Sequence, residues 1–172
     1  MLKRVLTIDG LNQDASEAAI RDIPSTRFHR NTELLVFGAD AAGTLSGYIL
    51  CPASVYGKGS GPVRRDSTLL AGLYLGTFGQ GIQIGEGTNR WATVHVLDLA
   101  DLALLILQHA LSPASESDGT YAKYYFGATG EYSQKPLVRS VVKALHALGK
   151  RENEEVRIVN RTEAQAIHPW GG

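Results

Sequence analysis

The residues best placed to do chemistry fall in two segments. The first is Tyr48-Ile-Leu-Cys-Pro52-Ala-Ser-Val-Tyr56-Gly57, an apolar run ending in a Pro-x-x-x-Tyr-Gly turn. The second is Gly85-Glu-Gly-Thr-Asn-Arg90-Trp-Ala-Thr-Val-His95-Val-Leu-Asp98, a glycine loop followed by an arginine, a histidine and an aspartate in short order. In open α/β sheets ligands sit beyond the carboxyl ends of the strands. A turn directly after an apolar strand is therefore where the Tyr56 phenol would meet a ligand. The plainer alternative is a strand-ending turn with Tyr56 as a packing aromatic. His95 also has two readings: a group close to a ligand site, or a hydrogen-bonding residue within a strand–helix junction capped by Asp98.

Other chemistry is missing from the 172 residues. No Gly-x-Gly-x-x-Gly occurs: Pro62 stands at the sixth position after Gly57-x-Gly59, and Ile84 does so after Gly79-x-Gly81. Neither loop would lead a helix N-terminus onto a pyrophosphate. No P-loop is present. His29, His109, His146 and His168 show no metal-ligand spacing. The single cysteine, Cys51, lies in the apolar run and reads as a small buried hydrophobe.

The elements that must position the two segments alternate between helix and short strand, which is an α/β pattern. Asp14 to Arg21 reads as a short helix with Asp14 as N-cap and Glu17 three residues on, stopped before Pro24. Asn31 to Ala42 reads as a helix capped by Asn31 or Thr32 and ended by Gly43. Leu34, Leu35, Phe37, Ala41 and Ala42 form its buried side. Gly47 to Tyr56 reads as one strand, ending at Pro52 and covered on both faces as in a parallel sheet. The spacing of Leu69, Leu70, Leu73 and Tyr74 predicts a helix over 66–77. Short strands are expected at Ile82–Ile84, Thr93–Val96, Tyr124–Phe126 and Val156–Val159, with a tight turn at Gly85–Gly87. Asp98 to Leu111 is the clearest helix, capped by Asp98. Ser112–Gly119 reads as a polar loop. Gln134 to Leu148 is a second strong helix, capped by Ser133 and ended by Gly149. Thr162 to Ile167 starts a last one.

The bulk numbers fit a soluble globular domain: 44% hydrophobic and 20% charged residues, with 17 basic and 17 acidic side chains in balance. Such a chain has no global field to draw it to nucleic acid or an anionic membrane. No apolar run is long enough for a membrane span, and no signal peptide is evident. The expectation is a cytoplasmic protein with a small-molecule substrate, no nucleic-acid partner and no membrane partner.

Taken together, the two segments resemble the substrate-side half of the extended short-chain dehydrogenase/reductases, the NAD-dependent epimerase/dehydratase-like group. Phe28-His29-Arg30-Asn31, Tyr56-Gly-Lys-Gly-Ser-Gly, Arg90-Trp, His95-Val with Asp98-Leu-Ala-Asp-Leu, and Tyr124-Tyr-Phe with Gly130-Glu131 are similar to a fungal-type subgroup of it, over about residues 20–165. The resemblance implies a partial Rossmann-type fold: the last parallel strands plus a small C-terminal substrate-binding lobe. The chain then reads as one incomplete domain. Residues 1–26 are a poorly defined lead-in, 27–111 the remainder of the sheet with its substrate loops, and 112–172 the substrate-side lobe.

The resemblance also implies roles. Pro52, Ala53 and Ser54 would line the nicotinamide end of NAD or NADP. Tyr56, Gly57, Arg90 and His95 would face the substrate, and His29 is a weak candidate proton donor. Arg90 falls one position earlier than the basic residue of the sugar-nucleotide enzymes, and Trp91 follows it. The Tyr-x-x-x-Lys pair of these enzymes falls on Thr26 and Arg30, which cannot exchange a proton in the same way. The implied activity is that of an NAD(P)-dependent oxidoreductase or epimerase/dehydratase-like protein on a small organic molecule. The alternatives are a non-catalytic ligand-binding or interaction protein and a truncated, inactive fragment. Without the glycine fingerprint, these residues alone would bind a dinucleotide weakly. An open sheet edge would favour homo-oligomers or other edge-to-edge association.

Overall fold

The computed structural model describes residues 16–27, 29–63, 65 and 81–167. The helix expected over 66–77 and the start of the lead-in, with Asp14, lie outside the described residues. The chain forms two compact units that alternate along the sequence.

The first unit takes the described residues up to Pro52 and then Leu97–Gly127. Helix α1 (Glu17–Arg21) begins at Ser16, whose Oγ accepts a hydrogen bond from the Ala19 N–H at 3.2 Å. The N-cap is thus Ser16, closer to the helix than the expected Asp14. Helix α2 (Arg30–Ala41) begins one residue before Asn31, and its N-cap is His29 in a left-handed conformation, φ 68. Asn31 and Thr32 therefore lie inside the helix. Strand β1 (Ile49–Pro52) pairs in parallel with β5 (Tyr124–Gly127), from Ile49 opposite Tyr124 to Pro52 opposite Gly127. Between them in sequence come α3 (Val96–Ala110) and two 3-10 turns, Pro113–Ser117 and Thr120–Lys123. The first of these turns lies within the polar loop expected over Ser112–Gly119, and the second follows it.

Strand alternation sorts the core of this unit onto two faces. Phe37 of α2 packs with Tyr124 and with the half-buried Ile49, Cys51 and Phe126. Leu102 and Ile106 of α3 pack with Tyr125, Tyr48 and Leu50 on the other. Helix α3 starts two residues before Asp98, which sits in its first turn and is not the cap. The buried side of α2 also differs from expectation: Leu34 and Leu35 are 42% and 75% exposed, and the buried positions are Arg30 and Phe37. Apolar character alone marked those leucines as core, but only the side carrying Phe37 meets the aromatic residues of β5.

The second unit takes Ala53–Val96 and Ala128 onward. The strand expected to end at Pro52 does end there, and the residues after Ala53 form a second strand with a different pairing partner. Strand β2 (Ser54–Tyr56) pairs in parallel with β4 (Arg90–His95), and β4 pairs antiparallel with β6 (Gly130–Ser133). A separate parallel pair joins β3 (Gly81–Ile84) to β7 (Val156–Val159). Helix α4 (Gln134–Ala147) lays Val138 and Val142 over that pair, with Leu137, Val141 and Val156 around them. Gln134 fixes the helix start, since its Oε1 accepts from the Ile84 N–H at 3.0 Å. Helix α5 (Arg161–Ile167) opens on a reciprocal cap. Asn160 Oδ1 accepts from the Glu163 N–H at 2.9 Å, and Glu163 Oε2 accepts from the Asn160 N–H at 2.8 Å. The α/β class with parallel strand pairs is thus the observed one.

Candidate functional site

The centre of the candidate site is the end of β2 against the end of β4. Parallel register sets Tyr56 opposite His95. Their rings meet edge to face, with centroids 5.2 Å apart and planes at 82°. Gly57 follows at φ +96, and the position of a Cβ there is already filled by the His95 imidazole. Only glycine satisfies both demands, the backbone turn and the close approach. Tyr56 is 39% exposed, while His95 is half-buried. One strand residue earlier on the same side, Ser54 lies opposite Thr93. Pro52 is exposed at the end of β1, and Ala53 and Ser54 are half-buried.

Arg90 does not join this group. It is five residues before His95, so strand alternation turns it to the opposite face. There its guanidinium pairs with Glu131 Oε2, at 2.9 Å from Nε and 2.7 Å from the terminal nitrogen. Both partners are exposed, so the pair is worth little in stability. Its effect is to occupy the cation. Trp91, the next residue, shares the Tyr56 and His95 face and lies 6.1 Å from Tyr132 of β6. Sequence reasoning missed Tyr132 because the strand Gly130–Ser133 is short and not apolar.

At the start of α2, His29 is exposed and its side chain makes no capping bond, while its carbonyl accepts from the Thr32 and Glu33 N–H groups. Arg30 is fully buried. It donates to Glu33 Oε2 at 3.0 Å and to the Ile20 carbonyl at 2.7 Å, and Glu33 Oε1 accepts from the Tyr124 hydroxyl at 3.0 Å. Arg30 thus ties α1 to α2. Burial, with the Cys51 and Glu33 side chains beside it, raises the Tyr124 phenol far above its ordinary value.

A second buried polar group was not legible from sequence. Lys123 Nζ donates to Asp40 Oδ1 at 2.8 Å and lies 5.6 Å from the Tyr48 ring centroid. Burial pulls the Asp40 pKa upward, but hydrogen bonds from Lys123 and the Gly47 N–H outweigh it, and the carboxylate ends below its ordinary value. The Asp40 bond raises Lys123 in turn. Tyr125 is pushed up to about 12, first by burial and then by the nearby Asp118 and Tyr48. His109 Nε2 stands 2.6 Å from Asp118 Oδ2 on the same unit. The Lys123–Asp40 pair is not a local signal, since the two residues lie 83 apart in sequence.

A cavity of about 590 Å³ lies in the second unit, at the loop before β7, lined by Lys150, Arg151, Glu155 and Arg157 among others. It shares no residue with the strand-end group, and three basic side chains in its lining stand against two acidic ones. Among the described residues no set of His, Cys, Asp and Glu side chains is placed to hold a metal ion, and no helix is long and apolar enough to cross a membrane.

These features define an α/β protein with Tyr56 and His95 paired at the ends of two parallel strands. The family model for the NAD dependent epimerase/dehydratase family matches residues 29–117, just over half of the chain. The chain belongs to that family. It is similar to the oxidase ucsJ of Acremonium sp, 27% identical over 137 residues, with 72% of this chain and 39% of that protein covered. Among solved structures it is similar to an NAD complex of a dTDP-glucose 4,6-dehydratase from Bacillus anthracis, at TM-score 0.45 and 14% identity, over 76% of this chain and 38% of that one. It is also similar to DesIV, a dTDP-glucose 4,6-dehydratase from Streptomyces venezuelae with NAD and TYD bound, at TM-score 0.45 and 21% identity, over 75% and 36%. The chain thus spans less than half the length of each.

Proposed function

We propose that this chain supplies the nicotinamide-facing and substrate-facing part of an NAD(P)-dependent oxidoreductase or epimerase/dehydratase acting on a small organic molecule. The observation that carries this reading is the Tyr56–His95 ring pair at the ends of parallel β2 and β4, with Gly57 turned against the imidazole. Tyr56 is partly exposed where a ligand of an α/β sheet would approach.

Ser54 offers one hydroxyl beside the small Ala53, with no cation. It suits the flat ring of a nicotinamide, which carries no negative charge. It does not fit a pyrophosphate, which needs a helix N-terminus or positive charge. Gly81 opens a strand rather than a helix, so it gives no cradle either. A bound dinucleotide would supply the hydride acceptor or donor. In this reading Ser54 orients the nicotinamide, while Tyr56 and His95 border the substrate.

A second reading, a ligand-binding module without catalysis, is favoured by one observation. Arg30 is locked by Glu33 and by the Ile20 carbonyl, and Thr26 cannot replace a tyrosine. One experiment separates the two: thermal melts of the chain with millimolar NAD(H) or NADP(H), followed by a hydride-transfer assay. A binding ligand must raise the midpoint. A shift with one cofactor, lost in Ser54→Leu, supports the first reading. A cooperative melt without any shift supports the second.

A further inference from the structure

We propose that one face of the β2-β4-β6 sheet is a seat for a neutral, planar ring, so that the ligand is an aromatic or conjugated cyclic compound and not a nucleoside diphosphate sugar. The inference rests on the proposed function only in taking this face as the substrate side.

Register determines which side chains share the face. Ser54 lies opposite Thr93 and Tyr56 opposite His95, while Trp91 lies opposite Tyr132 and Thr93 opposite Gly130. All of these alternate to one side, and the ring contacts Tyr56–His95 and Trp91–Tyr132 fall on it. The face therefore has an aromatic pair at each end and small residues between. Four residues of strand separate Trp91 from His95, about 13 Å at ~3.3 Å per residue. Gly130 stands opposite Thr93 and carries no side chain, so the floor between the two aromatic ends is low there.

One further observation points to the ligand. Trp91 and Tyr56 are 37% and 39% exposed, so both aromatic ends of the face reach solvent. Charge then selects the class. The three strands bring no arginine or lysine to this face, because Arg90 lies on the other side and is held by Glu131. A pyrophosphate would find hydroxyls and rings but no guanidinium or ammonium from these strands to offset its charge. A flat neutral ring would find an indole and a phenol to stack on and hydroxyls at its rim.

The test uses the full 172-residue chain without cofactor, titrated by calorimetry with 2-naphthol as the neutral ring and UDP-glucose as the charged alternative. We expect saturable 2-naphthol binding that weakens about fivefold to tenfold in Trp91→Ala and stays near the parent value in Trp91→Phe. UDP-glucose should not compete. Circular dichroism melts verify that each variant folds, and Trp91→Phe retains a ring if Trp91→Ala does not fold. Three outcomes would overturn the proposal: no saturable 2-naphthol binding, binding unaffected by loss of the Trp91 ring, or displacement of 2-naphthol by UDP-glucose. Failure of the enzymatic reading looks different: the melt shows no cofactor shift while 2-naphthol still binds at Trp91.

Discussion

Lys123 Nζ lies 2.8 Å from Asp40 Oδ1, across 83 residues of sequence, and joins the turn before β5 to the end of α2. The side chains are 11% and 4% exposed, and the Gly47 N–H completes the carboxylate's shell at 2.8 Å. Removing one partner of such a pair leaves the other charged and buried. Asp40→Ala should therefore lower stability by about 3–5 kcal/mol. Replacing both groups, as in Asp40→Leu with Lys123→Met, should cost markedly less, because no lone charge remains. Urea denaturation of the two single variants and the double variant measures the difference. Equal losses in all three would mean that packing, and not the ion pair, holds this junction.

Burial of Tyr125 gives the alkaline side of the stability profile a definite position. Its folded pKa is about 12 against an ordinary 10.0, so folding favours the neutral phenol. That contribution is fully present below 10.0 and is lost as pH rises towards 12. Lys123, also raised above its 10.5, loses its contribution in the range above that value. Asp40 acts at the other end. Its lowered pKa stabilises the fold above 3.8, and the benefit disappears as pH falls through its folded value. Urea midpoints across the alkaline range should fall steeply in the parent and more gently in Tyr125→Phe. Parallel curves would refute the assignment.

Gly57 is the backbone position on which the Tyr56–His95 arrangement depends. Gly57→Ala places a methyl group in the imidazole and an L-residue at φ +96. Together these should cost about 2–4 kcal/mol. His95→Ala in the same background removes the clash and leaves only the backbone term, about 1–2 kcal/mol. A double-mutant cycle by chemical denaturation checks this: the coupling should be large, and additive losses would show that the two residues are independent.

What the sequence displayed well was whatever periodicity could encode. The apolar stripe of α4, with Val138 and Val142, and the inward Leu102 and Ile106 of α3 follow from helical spacing. Partner choice was not encoded locally. The run from Gly47 to Tyr56 shows no sign of a change of partner, yet Cys51 pairs with Phe126 while Val55 pairs with Val94. The same limit applies to the site. Tyr56 and His95 were candidates from their motifs, but the face on which Arg90 lies depends on its odd spacing from His95 once β4 is known to begin at Arg90. Strand β6 carries too few apolar residues to stand out, so the Trp91–Tyr132 pair required the register itself.

Arg30 offers a direct test of whether its position can serve in proton transfer or only in holding the scaffold. Its guanidinium reaches Glu33 and the Ile20 carbonyl at the same time, a planar fork that an ammonium cannot reproduce. Arg30→Lys should leave at least one buried acceptor unsatisfied, costing about 1–3 kcal/mol. It should also lower the cooperativity of unfolding around α1, whose Ile20 anchors there. Combining it with Thr26→Tyr rebuilds the Tyr-x-x-x-Lys spacing on paper. The lysine would still be committed to Glu33, so we expect no hydride transfer from reduced nicotinamide above the parent level, measured with the same cofactor that shifts the melt. A gain of turnover in the double variant would show instead that the Arg30 site retains the geometry of an acid–base pair.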